Sequence, residues 1–360
     1  MSSAQGVQVT LNQQSFVSFC SNDYLGLANE ERVKIAMIEG VDKYGVGSGA
    51  AHLITGHFEP HHQLENALAE FTGRSRALLF STGYMANLGL IDALTDRKDL
   101  ILQDKLNHAS LIDGGLYCRA DMKRYKHADM DSLERLLKTS DAENKLIATD
   151  GVFSMDGDIA PLNEILTLAK NYNAQVLVDD AHGIGVLGKS GGGVCDLYSK
   201  REDDEPIIMG TLGKAFGGFG AFIAGSEDLI EWLIQSSRTY IYTTALPPSV
   251  ALAALESLSI IKAEPQRRQH LQTLIEHFRT RVSSMGLELM PSSTPIQPVQ
   301  IGDEKAALDM SLKLKNKGIL VKAIRPPTVP EGTSRLRITL SAAHSFDDVE
   351  RLLDAMEELV

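Results

Sequence analysis

AQVLVDDAHGIGVLG, residues 174–188, sets a short apolar run directly against two aspartates and a histidine. A run of that length, closed by Asp and Gly, reads as a buried strand. Open α/β sheets gather their ligands outside the carboxyl ends of such strands, so the polar cluster sits where chemistry belongs. The next apolar run repeats the arrangement: PIIMG (206–210) leads into TLGKAFGG (211–218), with one lysine among glycines.

Upstream, RALLF (76–80), DLILQ (99–103) and KLIAT (145–149) read as further buried strands. Amphipathic stretches separate them. Leu133, Leu136 and Leu137 recur at helical spacing behind a capping pattern from Asp131 to Glu134, and Pro161 opens a second helix. This alternation predicts an α/β domain with a largely parallel sheet. A long helical region, 248–284, is punctuated by Pro265. ILVKAI (319–324) and SRLRITL (334–340) then read as strands, and a final helix carries Ser345 and Asp348 as a capping box. The expected organisation is an N-terminal segment 1–28, a large domain 29–264, and a smaller C-terminal α+β domain 265–360.

Composition narrows the function. A net charge of −12 argues against a nucleic-acid backbone as partner, which needs a basic face. No apolar run is long enough to span a membrane, and the N-terminus lacks the pattern of a secretory signal. The three cysteines, Cys20, Cys118 and Cys195, show neither a disulfide framework nor zinc spacing. A cytoplasmic setting is expected.

Four segments could carry chemistry. Asp179 could hold a ring nitrogen protonated, with His182 bonding a neighbouring group; equally, Asp179 or Asp180 caps the next turn. Lys214, desolvated beside a strand end, suits Schiff-base chemistry, although a lone Gly-Lys is more often an exposed turn. Ser81-Thr82-Gly83-Tyr84 precedes a probable helix whose free N–H groups suit a phosphate, and Thr211 could reach a phosphate oxygen. His108, in NHAS (107–110), could stack on an aromatic ring or shuttle protons, or simply lie exposed at a helix cap.

Three other patterns are set aside. Gly183-x-Gly185-x-x-Gly188 satisfies the dinucleotide fingerprint but lacks its early βαβ context. A phosphate-binding P-loop would need glycine at Ile208 and Ser or Thr at Ala215. His57, His61 and His62 invite a metal, but Pro60 interrupts their spacing and no nearby carboxylate pair completes a ligand set.

Taken in order, SNDYLGL (21–27), GVGSGA (45–50), NHASLIDG (107–114), DGVFSMDGD (150–158), VDDAHGIGVLG (178–188) and TLGKAFGGFG (211–220) resemble the α-oxoamine synthases. These are fold-type I pyridoxal-phosphate (PLP) enzymes that join an amino acid to an acyl thioester with loss of CO2. The resemblance implies a large PLP-binding domain with a mostly parallel sheet. It implies Lys214 as the lysine carrying PLP and later moving protons at the amino-acid α-carbon. Asp179 would pair with the ring nitrogen, His182 with the ring hydroxyl, and His108 would stack on the ring. Gly83, Tyr84 and Thr211 would hold the phosphate or its surroundings, with Ser154 near the cofactor. Asn22 and Thr328 would contact substrate, and Arg325 would take its carboxylate. A homodimer is implied, with Thr243 and Thr244 reaching the partner's phosphate.

AIRPPTVPEGTSRLRITL (323–340) is most similar to the branch that condenses L-alanine with a pimeloyl thioester, carried by coenzyme A or acyl carrier protein. The rivals are a glycine-using synthase of the same family and a non-catalytic PLP-fold binding protein. Arg335 and Arg337 are expected to serve structure. Three departures from the family accompany the match. Relatives carry a longer stretch before SNDYLGL, with a substrate-contacting arginine this chain lacks. Asp150 replaces the usual glutamate, a shortening expected to preserve its charge. Ala50-Ala51-His52 varies from the commoner glycine–serine version.

Overall fold

A computed structural model describes residues 1–198 and 205–359. The chain forms two compact units: Glu31–Phe153 with Ile159–Lys262, and Met1–Glu30 with Ser154–Asp158 and Ala263–Val360. The N-terminal segment thus falls in one unit with the C-terminal residues.

The larger unit is built on seven strands: β1 (Arg76–Phe80), β2 (Leu100–Asp104), β3 (Asp121–Tyr125), β4 (Lys145–Asp150), β5 (Gln175–Asp179), β6 (Ile207–Thr211) and β7 (Ala221–Gly225). They lie in the order β1-β7-β6-β5-β4-β2-β3. Only β7 runs against the others, pairing antiparallel with both β1 and β6. The mixed α/β fold with a mostly parallel sheet is thus as expected. Parallel strands covered on both faces have no polar side to show, which is why LILQD, KLIATD and QVLVD are buried almost end to end. Leu78, Ile101, Leu146, Leu177, Met209 and Ile223 pack into one core with Leu90, Ile91, Leu111, Ile230 and Leu233 from the helices. Each such side chain contributes about 1.5–3 kcal/mol of burial.

Every strand of this sheet that the sequence suggested is present, within one residue at each end. The helix at Met130–Lys138 begins earlier than the Asp131–Glu134 pattern implied. Its cap is Asp129, whose carboxylate accepts the Ser132 N–H at 2.8 Å.

In the smaller unit, Gln8–Leu11 and Gln14–Ser18 form a hairpin, joined in parallel by Ile319–Leu320. A separate antiparallel sheet runs in the order Glu288–Leu289, Ile296–Gly302, Ser334–Thr339, Lys322–Ile324. ILVKAI is therefore two strands in two sheets, divided at buried Val321. The Ser345–Asp348 capping box is made as read.

Candidate active site

Within the larger unit, Asp150, Asp179 and Thr211 close the carboxyl ends of β4, β5 and β6, and Asp150 stands beside Asp179 in register. Asp179 is 5% exposed. Its Oδ1 accepts the Ala181 N–H at 3.1 Å and its Oδ2 accepts the Asn87 side-chain amide at 2.7 Å. Asp180 faces away from this pair. Its Oδ2 accepts the Val194 N–H at 2.7 Å, fastening the 193–197 turn, and burial pushes its carboxyl well above the usual carboxylate range. Both aspartates thus hold local backbone, Asp179 at Ala181 and Asp180 at Val194, and Asp179 alone also takes the Asn87 amide.

That turn tolerates no side chain at Gly193. Its φ is +85°, and a Cβ there would overlap Asp180 Oδ2. Past the β6 end, Lys214 brings Nζ to 2.8 Å from His182 Nε2, so the lysine is no free surface amine. Thr211 shares its hydroxyl locally, donating to the Gly220 carbonyl at 3.1 Å and accepting the Gly213 N–H at 3.2 Å.

The helix Gly83–Leu94 follows β1 and is capped by Thr82, whose Oγ1 accepts the Met85 N–H. Gly83 and Tyr84 occupy its first turn, where free N–H groups and the helix dipole favour an anion. Tyr84 is exposed, and its hydroxyl donates to the Asp113 carboxylate. His108 is exposed and caps the helix Ala109–Tyr117. Its backbone N–H donates to both oxygens of Asp150 at 3.1 Å. The surroundings of Asp150 work against the charge expected of it. Burial first, and the Asp179 charge second, push its carboxyl well above the usual range. What Asp150 supplies is a fixed acceptor under His108.

Two residues outside the expected set complete this group. Asn87 donates to Ser110 Oγ at 2.8 Å as well as to Asp179, and Ser110 Oγ lies 2.8 Å from His108 Nδ1. Their signal in the sequence was faint: Asn87 is a polar residue on a mostly apolar helix, between buried Ala86 and Leu90.

The smaller unit gathers Asn22 and Ser154 around Arg337. The guanidinium donates to the Ser154 carbonyl at 2.7 Å, to Thr339 Oγ1 at 2.9 Å and to Asn22 Oδ1 at 3.4 Å. Arg335 is buried and paired with Asp156, a structural role as expected. Arg325 instead donates to Glu304 at 2.8 Å in an exposed ion pair, and Thr328 is exposed nearby with its N–H on the Arg325 carbonyl. In the larger unit Thr243 is half-buried and Thr244 exposed.

The histidines set aside earlier do gather, and a carboxylate joins them: His52, His57 and His61 lie close together, as do His57, His62 and Glu65. His61 commits both ring nitrogens to backbone, Nδ1 accepting the Phe58 N–H and Nε2 donating to the Leu246 carbonyl. His52 Nδ1 and His57 Nδ1 bond each other at 3.0 Å. These bonds tie the 52–58 loop to its neighbours.

A lysine amine, a buried carboxylate, two imidazoles and a helix N-terminus follow the carboxyl ends of one sheet, and their chemistry fits PLP: the amine would suit its aldehyde, the carboxylate its ring nitrogen and the helix N–H groups its phosphate. Fold and site together define a fold-type I PLP enzyme. The chain belongs to the aminotransferase class I and II family, matching it over residues 14–356, and within it to the α-oxoamine synthases. It is a PLP-dependent acyltransferase. It is 55% identical to the 8-amino-7-oxononanoate synthase of Saccharophagus degradans, across 99% of this chain and 91% of the relative. A crystal structure of the Francisella tularensis 8-amino-7-oxononanoate synthase superposes with a TM-score of 0.82 at 34% identity, covering 95% of this chain and 97% of that one. A serine palmitoyltransferase from S. paucimobilis with PLP and myriocin bound gives 0.96 at 30% identity, covering 100% and 91%. Relatives named 8-amino-7-oxononanoate synthase support a role in biotin biosynthesis. No helix among the described residues is long and apolar enough to cross a membrane.

Proposed function

We propose that the chain condenses L-alanine with a pimeloyl thioester, carried by coenzyme A or acyl carrier protein, giving 8-amino-7-oxononanoate, CO2 and free thiol. The observation that carries this reading is the Lys214–His182 pair in the same unit as a buried, doubly hydrogen-bonded Asp179. When bound, PLP supplies an electron sink for the amino-acid α-carbon. Lys214 carries the cofactor, removes the α-proton and later returns one. His182 steadies Nζ and takes the ring hydroxyl. Asp179 would pair with the ring nitrogen, and His108 would stack on the ring. Gly83 and Tyr84 offer the helix N-terminus to the phosphate, with Thr211 beside it. In the balanced reaction the α-carbon attacks the thioester carbonyl, the C–S bond breaks, the thiolate takes a proton, and the carboxylate leaves as CO2.

For the amino-acid carboxylate we favour Arg337 over Arg325. Its company, Asn22 and Ser154, is the company the resemblance assigns to substrate and cofactor, whereas Arg325 is occupied by Glu304. Thr328 remains a proposed substrate contact. We infer a homodimer, with Thr243 and Thr244 turned to the partner's phosphate. Support comes from exposed Ile35, Met37 and Ile38 on the helix Glu31–Tyr44, and from exposed Val46, Leu53 and Ile54 after it. Apolar side chains so numerous on one unit call for cover. Three free cysteines are consistent with a reducing cytoplasm.

The test is Lys214→Ala. Purified with PLP, it should lose the visible absorption of lysine-bound cofactor and all condensation. Turnover at the wild-type rate would refute the assignment.

A further inference from the structure

We propose that Asn87 is the positioning residue of the cofactor site, its one side-chain amide holding both the Asp179 carboxylate and, through the Ser110 hydroxyl, the His108 ring. This rests on the reading of Asp179 and His108 as PLP contacts.

The directions of the bonds follow from the donors available. The two amide hydrogens of Asn87 go to Asp179 Oδ2 at 2.7 Å and to Ser110 Oγ at 2.8 Å. Having accepted there, the Ser110 hydroxyl sends its own hydrogen to His108 Nδ1 at 2.8 Å. The Ser110 backbone N–H points at the same Nδ1 at 3.2 Å, and a backbone N–H can only donate. Nδ1 is therefore an acceptor twice over, and the ring proton of neutral His108 resides on Nε2. One amide thus fixes the orientation of a carboxylate on β5 and, through Ser110 Oγ, braces the ring of a histidine on a different element, whose tautomer the Ser110 backbone N–H sets.

The fold accepts a cost for this. Asn87 is fully buried in a helix interior, and its Oδ1 has no hydrogen-bond partner. Turning the amide over would satisfy nothing, because it would set an oxygen against the Asp179 carboxylate. An asparagine kept only for packing would be better replaced by an apolar side chain. Its donors are what the site uses.

The experiment compares wild-type, Asn87→Leu, Asn87→Asp and Ser110→Ala holoenzymes, each checked for folding by circular dichroism. The first readout is the pH midpoint of the visible band of Lys214-bound PLP. The second is kcat against KM for L-alanine, and the third the ¹⁵N resonances of the His108 ring. For Asn87→Leu we expect the midpoint to move by roughly half a unit or more. We also expect kcat to fall about tenfold with KM within about twofold of wild type. Asn87→Asp, nearly isosteric, should show the same spectral shift should the leucine variant fail to fold. Ser110→Ala removes one of the two donors to Nδ1, so it should shift the His108 Nδ1 resonance while the tautomer, held by the backbone N–H, and the midpoint stay in place. A wild-type band with unchanged midpoints in both Asn87 variants would overturn the inference alone. A wild-type protein that gains no visible band would overturn the functional reading and the inference with it.

Discussion

Replacing Asp179 with asparagine separates what this residue does for the fold from what it does for the chemistry. Asp179 accepts two N–H donors, from Asn87 and Ala181, in a site 5% exposed. The amide of Asp179→Asn has one oxygen, so one N–H faces another unless Asn87 turns over, which gives up its donation to Ser110. A buried donor left without an acceptor costs about 1–3 kcal/mol. The charge opposite the ring nitrogen is lost as well, and electrostatic groups of this kind are worth about 10²–10³ in kcat. Adding Asn87→Asp reverses the first effect only: the new carboxylate at position 87 accepts what the new amide at position 179 donates, and the pair is remade with its roles exchanged. In urea unfolding of the apoprotein, the double variant should recover most of the stability lost by the single one. Its kcat should stay down about hundredfold, because the carboxylate now sits at the wrong position. Coupling of this form is what a double-mutant cycle isolates. Recovery of stability and activity together would refute the electrostatic role of Asp179, as would a single variant of undiminished kcat.

Other outcomes follow from the same geometry. Gly193→Ala should destabilise the larger unit by about 3 kcal/mol, since it combines a positive φ with a Cβ driven into Asp180; denaturant titration checks it. Arg337→Ala should raise KM for L-alanine in steady-state assays, whereas Arg325→Ala should leave it nearly unchanged. His61 is pushed down to about 4, chiefly by burial. The folded state therefore binds fewer protons than the unfolded one between about pH 6.5 and 4, so its contribution to stability is present above 6.5 and lost as pH falls through that window. Melting curves of His61→Gln should lie below wild type at about pH 7.5 and show a shallower loss across the window.

Much of this was legible in the sequence because parallel strands hide both faces. RALLF, KLIATD and QVLVD announce themselves as apolar runs, and the residues that follow them are the candidate site. DMKRY, the edge strand β3, was not legible: only Tyr125 of its five residues is buried, so it carries no apolar signature. AFIAG does carry the apolar signature and is buried throughout, but its reversed direction in the sheet leaves no local trace. Spacing could nominate Arg325 beside its prolines, but Arg337 meets Asn22 from 315 positions away, a relation that only folding creates. The burial of Asp150 beside Asp179, which works against its charge, is a property of register between strands and leaves no local trace.

The most direct test offers PLP-loaded protein L-alanine, glycine or L-serine, each with pimeloyl-CoA, and follows free thiol together with the amino-ketone product. Alanine-selective release of thiol with formation of 8-amino-7-oxononanoate is the predicted result. Preference for glycine, or thiol release independent of any amino acid, would contradict it.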